Sequence, residues 1–159
     1  MYSMRESVTK LFVTRCIHNT YLEPKRFFKD IKKQRSIEEY SFDKPFRIIY
    51  VSQVDWYKHQ WTVVEATRQL RCEGFPVELV LIGAGQSSAA EKLEKSIARC
   101  DPRGEYIFYL GFVAYEKLDR HYETSDLCVY ASSCENLPNS LIEAMASGLP
   151  IISSKYEPM

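Results

Sequence analysis

From Phe46 onward the chain alternates short apolar runs with stretches of helical spacing. The runs cover 46–52, 77–83, 106–111, 127–132 and 149–154, and they do not alternate strictly between apolar and polar positions. Between them, residues 60–72, 89–99, 115–124 and 138–147 space apolar side chains three or four apart, the period of a helix that buries one face. Strands apolar on both faces, each followed by a helix, predict a parallel sheet covered on both sides. The expected fold is α/β, a doubly wound Rossmann-like parallel sheet of about five strands. Upstream, 11–17 reads as a short strand, 17–20 as a loop and 36–45 as a polar linker, with no internal repeat or low-complexity tract.

In a doubly wound sheet, ligands bind beyond the carboxyl ends of the strands, where helix N-termini offer free N–H groups. The fourth such loop carries most of the chemistry. It reads Ser-Ser-Cys-Glu-Asn-Leu-Pro-Asn-Ser-Leu-Ile-Glu from Ser132 and sets Glu135 and Glu143 around a helix start. Pro138 suits the first helical position, and Gly148 with Pro150 gives the stop. Asn139 and Glu143, four apart, share one face of this helix, while Leu141 and Met145 share another that can face a core.

The first loop, Gln53-Val54-Asp55-Trp56-Tyr57-Lys58, brings a lysine to the start of a helix. It reads either as a point charge for a phosphate or as a solvated surface side chain. In the second loop, Gly83-Ala84-Gly85-Gln86, glycines allow a tight turn or the close approach of a ligand. A dinucleotide fingerprint would need a third glycine, so a plain strand-to-helix turn explains it as well. In the third, Phe112 and Val113 can either face a nucleobase or simply pack.

Length and composition bound these readings. A chain of 159 residues, 45% hydrophobic and 26% charged, is long enough for one globular domain with a core. No apolar run approaches the roughly 20 residues that span a bilayer, and no secretory leader is apparent. Net charge is zero, yet residues 1–45 hold ten Lys and Arg against six Asp and Glu. The run Lys25, Arg26, Lys29, Lys32, Lys33 and Arg35 reads as a solvated face or as a contact for an anionic membrane or acidic partner. No nucleic-acid partner is expected. Five cysteines, odd in number and without a C-x-x-C pair, read as reduced thiols of a cytoplasmic protein, with Cys128 in the core and Cys134 beside Glu135.

Two carboxylates can serve a glycosidase as acid and base, but a helix N-terminus between Glu135 and Glu143 suits an anion better. The N–H groups from Asn136 to Ser140 would meet that anion while the glutamates reach hydroxyls on either side. A sugar joined through a diphosphate to a ribose offers those groups in that order. Such chemistry needs stabilisation of a leaving diphosphate by Lys58 and the helix N-terminus. His18, His59 and His121 are scattered and no acidic cluster has magnesium-like spacing, so no metal or other cofactor is expected. The structural alternative makes Glu135 an N-terminal helix charge and Glu143 an exposed helix residue.

At these residues the chain resembles the donor-binding half of a retaining, nucleotide-sugar-dependent glycosyltransferase of family 4, with the GT-B fold. The resemblance rests on Glu135-x7-Glu143 followed by Ala-Met-Ala-Ser-Gly-Leu-Pro, on the segment from Val51 to Lys58, on Ile82-Gly83-Ala84-Gly85, on Leu110-Gly111-Phe112-Val113 and on His18-Asn19. It implies that Glu135 acts at the transferred sugar near its reacting carbon and that Glu143 holds the ribose hydroxyls. Lys58 would hold the diphosphate with Asn139 and Ser140; Gln53, Gly83, Gly85, Phe112, Val113 and Asn136 would complete the donor site. Residues 1–45 would be an interdomain segment and linker, and 46–159 a nucleotide-sugar-binding domain truncated at its C-terminus.

Three departures accompany the resemblance. Gln53 stands where the family commonly has Arg, Asn-Leu-Pro replaces Gly-Phe-Gly after Glu135, and the acceptor-binding N-terminal domain is not in the sequence. The implied function is retaining transfer of a sugar from a nucleoside diphosphate to a hydroxyl of a sugar or lipid-linked acceptor, in polysaccharide or glycoconjugate assembly; the expected location is the cytoplasm, with the inner face of a membrane as an alternative. The isolated chain is expected to bind donor weakly and to transfer little. The alternatives are a nucleotide-binding or docking module without catalysis, and an NAD-dependent enzyme.

Overall fold

The computed structural model describes residues 35–85, 88–135 and 138–155. Five strands, β1 (Phe46–Val51), β2 (Val77–Ile82), β3 (Ile107–Tyr109), β4 (Leu127–Tyr130) and β5 (Ile151–Ser153), form one sheet in the order β3-β2-β1-β4-β5. Every neighbouring pair is parallel. The helices between them are α1 (Gln60–Cys72), α2 (Ser88–Cys100), α3 (Tyr115–Thr124) and α4 (Asn139–Ala146). The doubly wound expectation is therefore met. The strand at 11–17, the His18-Asn19 loop and the basic run from Lys25 to Lys33 lie outside the described residues.

The strand order explains where the helices go. Connections between parallel strands are right-handed, so units that step one way across the sheet put their helices on one face and those that step back use the other. Ile48, Tyr50, Leu79 and Leu81 accordingly pack with Val63, Val64, Ala90 and Leu93 of α1 and α2. Ile49, Val51, Val80 and Ile82 pack with Leu118 and Tyr122 of α3 and Ala144 and Ala146 of α4. Alternate residues of β1 and β2 thus feed two cores, which is why neither strand alternates in sequence. The one charged residue of β2, Glu78, sits at its start and pairs with its cross-strand neighbour Arg47.

Differences from expectation lie at element ends. Pro138 is the N-cap and not the first helical residue: its ψ is 90°, and its carbonyl accepts from the N–H groups of Leu141 and Ile142 at 3.0 and 3.2 Å. β5 begins after Leu149 and Pro150, because proline has no N–H for the ladder. The core face of α4 is also displaced. Leu141 and Met145 are only partly buried, whereas Glu143, Ala144 and Ala146 are buried. The linker 36–45 is not free chain: it turns at Ile37–Glu39, and the Tyr40 ring meets Phe46 edge-on at 5.1 Å.

Candidate functional site

Sheet order reverses between β1 and β4, so the crevice opens at their carboxyl ends. Lys58 enters it from one side and Glu135 from the other. After β1, the Asp55 carboxylate accepts from the Trp56 N–H at 2.6 Å and starts a single 3-10 turn, Trp56–Lys58. His59 follows in the left-handed region, φ 52°, turning the chain into α1. Lys58 thereby points inward and is buried, a lysine that the sequence pattern left open as a solvated side chain.

Lys58 is held at both ends. Lys58 forms a salt bridge with Glu135, and its Nζ donates to Tyr130 Oη at 3.0 Å. At its other end, the Lys58 carbonyl accepts from Tyr50 Oη at 2.6 Å. The two tyrosine rings meet edge-on with centroids 5.7 Å apart. Burial alone would push the Lys58 ammonium down, but Glu135 and Tyr130 outweigh it and raise it above its ordinary value. For Glu135, burial would push the carboxyl up, yet hydrogen bonds from Lys58, Ser132 and Tyr130 hold it below the usual carboxylate range. The pair is ionised throughout the neutral range.

Further bonds lace the two loops together. The Ser133 N–H donates to the Tyr57 carbonyl at 2.8 Å, Ser132 Oγ donates to the same carbonyl at 3.2 Å, and His59 Nε2 lies 2.7 Å from Ser133 Oγ. Burial pushes the Tyr130 phenol up, an effect partly offset by Lys58 and by the Ser140 hydroxyl in the first turn of α4. Asn139 and Ser140 open that helix, where first-turn N–H groups have no partner inside it.

Other residues singled out in the sequence stand further off or act through the backbone. Glu143 is buried on α4; the Tyr122 hydroxyl of α3 donates to the Ser140 carbonyl at 3.3 Å, and burial, with the nearby Cys128 and Glu143, pushes that phenol up. Glu143 is neither exposed nor in the Lys58 cluster. Gln53 is exposed, and its carbonyl accepts from the Gln60 amide at 3.0 Å. Gly83 is required by packing: at φ 146°, a Cβ there would come within 1.9 Å of the Ser52 carbonyl oxygen. At Gly85 a Cβ would meet Val54 Cβ at 2.7 Å. The second loop is thus pressed against the first. Val113 packs against the α3–α4 core, while Phe112 is 78% exposed. Asn136 lies outside the described residues.

Cysteine chemistry does not enter the crevice from the core. Cys128 is buried and its thiol is pushed up to about 12 by desolvation, as a packing residue should be; Cys134 is exposed. Among the described residues no three His, Cys, Asp or Glu side chains gather as a metal site, and no helix is long and apolar enough to cross a membrane. A groove of about 710 Å³ on the outer side of α1 and α2 is floored by Trp56 and Trp61, with Lys92 Nζ 4.0 Å from the Trp61 ring centroid.

Tyr50, Tyr130 and Ser132 escaped the sequence reading. The signal is that each tyrosine is the one hydroxyl-bearing residue of its strand and stands at or next to the carboxyl end. A buried tyrosine hydroxyl nearly always has a partner.

A parallel doubly wound sheet with a lysine and a carboxylate meeting at its switch point is a Rossmann-like α/β domain. The chain belongs to the family of glycosyl transferases group 1, whose family model matches residues 31–159. It is 29% identical over 141 residues to the amylovoran biosynthesis glycosyltransferase AmsK of Erwinia amylovora, a match covering 85% of this chain and 32% of that protein. The crystal structure of HepE of Anabaena in complex with UDP and glucose superimposes with a TM-score of 0.63 at 22% identity, over 72% of this chain and 31% of HepE. The pneumococcal O-GlcNAc transferase GtfA in complex with UDP and GlcNAc gives 0.61 at 28% identity, over 71% of this chain and 21% of GtfA. The chain therefore spans between 21% and 32% of the length of these relatives. Their fold is the GT-B glycosyltransferase fold, of which this sheet is the Rossmann-like part.

Proposed function

We propose that this chain is the donor-binding part of a retaining glycosyltransferase that moves a hexose-like sugar from a nucleoside diphosphate to a hydroxyl acceptor during polysaccharide or glycoconjugate assembly. The observation that carries this reading is the buried Lys58–Glu135 pair at the switch point, beside the N-terminus of α4. A diphosphate entering there meets an ammonium and a helix N-terminus, both suited to the charge that grows on it as the glycosidic bond breaks. Glu135, exchanged from Lys58 by the phosphate, is then available to the sugar, and Glu143 on the same helix to the ribose. No metal is assigned to the phosphates, since Lys58 and the helix N-terminus supply the charge.

Supporting this reading are the family membership and two relatives whose structures hold UDP. The acceptor is a sugar or lipid-linked hydroxyl; the amylovoran relative makes a growing polysaccharide the first candidate. Calorimetric titration of the chain with UDP, GDP, ADP and NAD tests the donor class. Binding of a nucleoside diphosphate ahead of NAD is the expected result. Tighter binding of NAD would overturn the proposal.

A further inference from the structure

We propose that Tyr130 is a positioning residue that keeps Lys58 aimed at the donor diphosphate while Glu135 is handed from the lysine to the sugar. The inference rests on the donor-binding reading above. A lysine side chain is a flexible stem with a strongly hydrated head, so an ammonium released by its carboxylate would ordinarily swing to solvent. Lys58 is held at two points that do not involve Glu135. Tyr50 Oη grips its backbone carbonyl at 2.6 Å, and Tyr130 Oη accepts from Nζ at 3.0 Å.

Both tyrosines are 1% exposed, and they stand on neighbouring parallel strands of the sheet. Their rings brace each other edge-on at 5.7 Å. The holders therefore belong to the rigid sheet, whereas Glu135 belongs to a loop. An ammonium carries three N–H donors, so exchanging Glu135 for a phosphate oxygen leaves the bond to Tyr130 in place.

Tyr130→Phe keeps the ring and its contact with Tyr50 and removes only the oxygen. UDP and uridine are titrated against both forms of the chain, with circular dichroism to check the fold. The variant should lose about tenfold in UDP affinity, the effect of one hydrogen bond to a charged group, and nothing for uridine, which has no phosphate for Lys58. Equal UDP affinity in both forms overturns the proposal, as does a parallel loss for UDP and uridine, which would mark a merely structural role. Absence of UDP binding by the unaltered chain would sink the donor reading itself, a result distinct from either. A second readout needs no variant: with lysine ¹⁵N-labelled at Nζ, the Lys58 ammonium signal should stay resolved from the exposed lysines both without and with saturating UDP. Its merging with them on addition of UDP would show that no group holds it once Glu135 departs, and would overturn the proposal.

Discussion

Lys58 and Glu135 are 77 residues apart in the chain and form one buried ion pair where β1 and β4 end side by side. Each side chain in the pair is 9% exposed. Coulomb attraction between such groups has to offset the loss of hydration of both, so the pair is a weak source of stability but a costly thing to break. What it supplies is a charged couple that is already desolvated and already in place.

Removing the lysine leaves Glu135 buried without its cation. Lys58→Met should therefore destabilise the fold by about 3 to 5 kcal/mol, and Lys58→Met combined with Glu135→Gln should recover most of that loss. Urea unfolding of the two variants checks this, and equal stabilities would show that the pair relaxes into solvent when broken.

The pair also sets a pH window. Glu135 has a lowered folded pKa, so its contribution is present above the unfolded value of about 4.3 and is lost as pH falls through the folded value. Lys58 has a raised folded pKa, so its contribution is present below about 10.4 and is lost as pH rises through the folded value. Between these limits the contribution of the pair should be flat. Glu135→Gln should flatten part of the acid limb of a stability-against-pH curve. The remainder includes Asp101, whose carboxyl burial would raise but which the N–H groups of Tyr106, Glu105 and Ile107 hold low. An unchanged acid limb would mean that Glu135 titrates normally.

Glu143 tests the ribose assignment. Glu143→Gln should weaken UDP by roughly 1 to 3 kcal/mol while changing the affinity for 2′-deoxy-UDP much less, because the lost acceptor is specific to a hydroxyl. Tyr122→Phe is the control, since that hydroxyl is coupled electrostatically to Glu143 from the side of α3. If both nucleotides weaken alike on Glu143→Gln, the carboxylate serves α3–α4 packing and not the ribose.

Two glycines with left-handed φ should respond differently to alanine. Gly83→Ala brings a Cβ against the Ser52 carbonyl, whereas at Gly111, φ 62°, the space around a Cβ is open. Gly111→Ala should cost about 1 to 2 kcal/mol of backbone strain, and Gly83→Ala distinctly more, with weakened UDP binding because the β1 loop carrying Lys58 must shift. Thermal unfolding and calorimetry together separate the two. Equal costs would mean that the second loop can move aside freely.

The proposal assigns phosphate charge to Lys58 and the α4 N-terminus, with no metal. UDP affinity in EDTA should then equal that in millimolar magnesium within error. A rise of tenfold or more with magnesium would require a metal in the donor complex.

Much of this protein can be read along the chain because its physics is local. Apolar runs at 46–52, 77–83 and 127–132 have to be strands buried on both faces, and helices of the right period have to lie between them. Pro138 and Gly148 mark the ends of α4 to within a residue because backbone chemistry alone demands it. The residues of the crevice were recognisable as chemical types for the same reason: a lysine after the first strand, and a glutamate before the last helix.

Their arrangement was not local. Whether Lys58 faces water or the interior depends on His59 turning left-handed and on Tyr50 and Tyr130 meeting beneath it, contacts that form only when β1 and β4 become neighbours. Glu143 reads as part of a polar helix face, yet the packing of α4 on α3 buries it beside Tyr122. Sequence determined the elements, their class and the reactive groups, because periodicity and capping act within a few residues. The tertiary structure alone decided which groups share a buried charge, since desolvation and long-range pairing exist only once the sheet order is set.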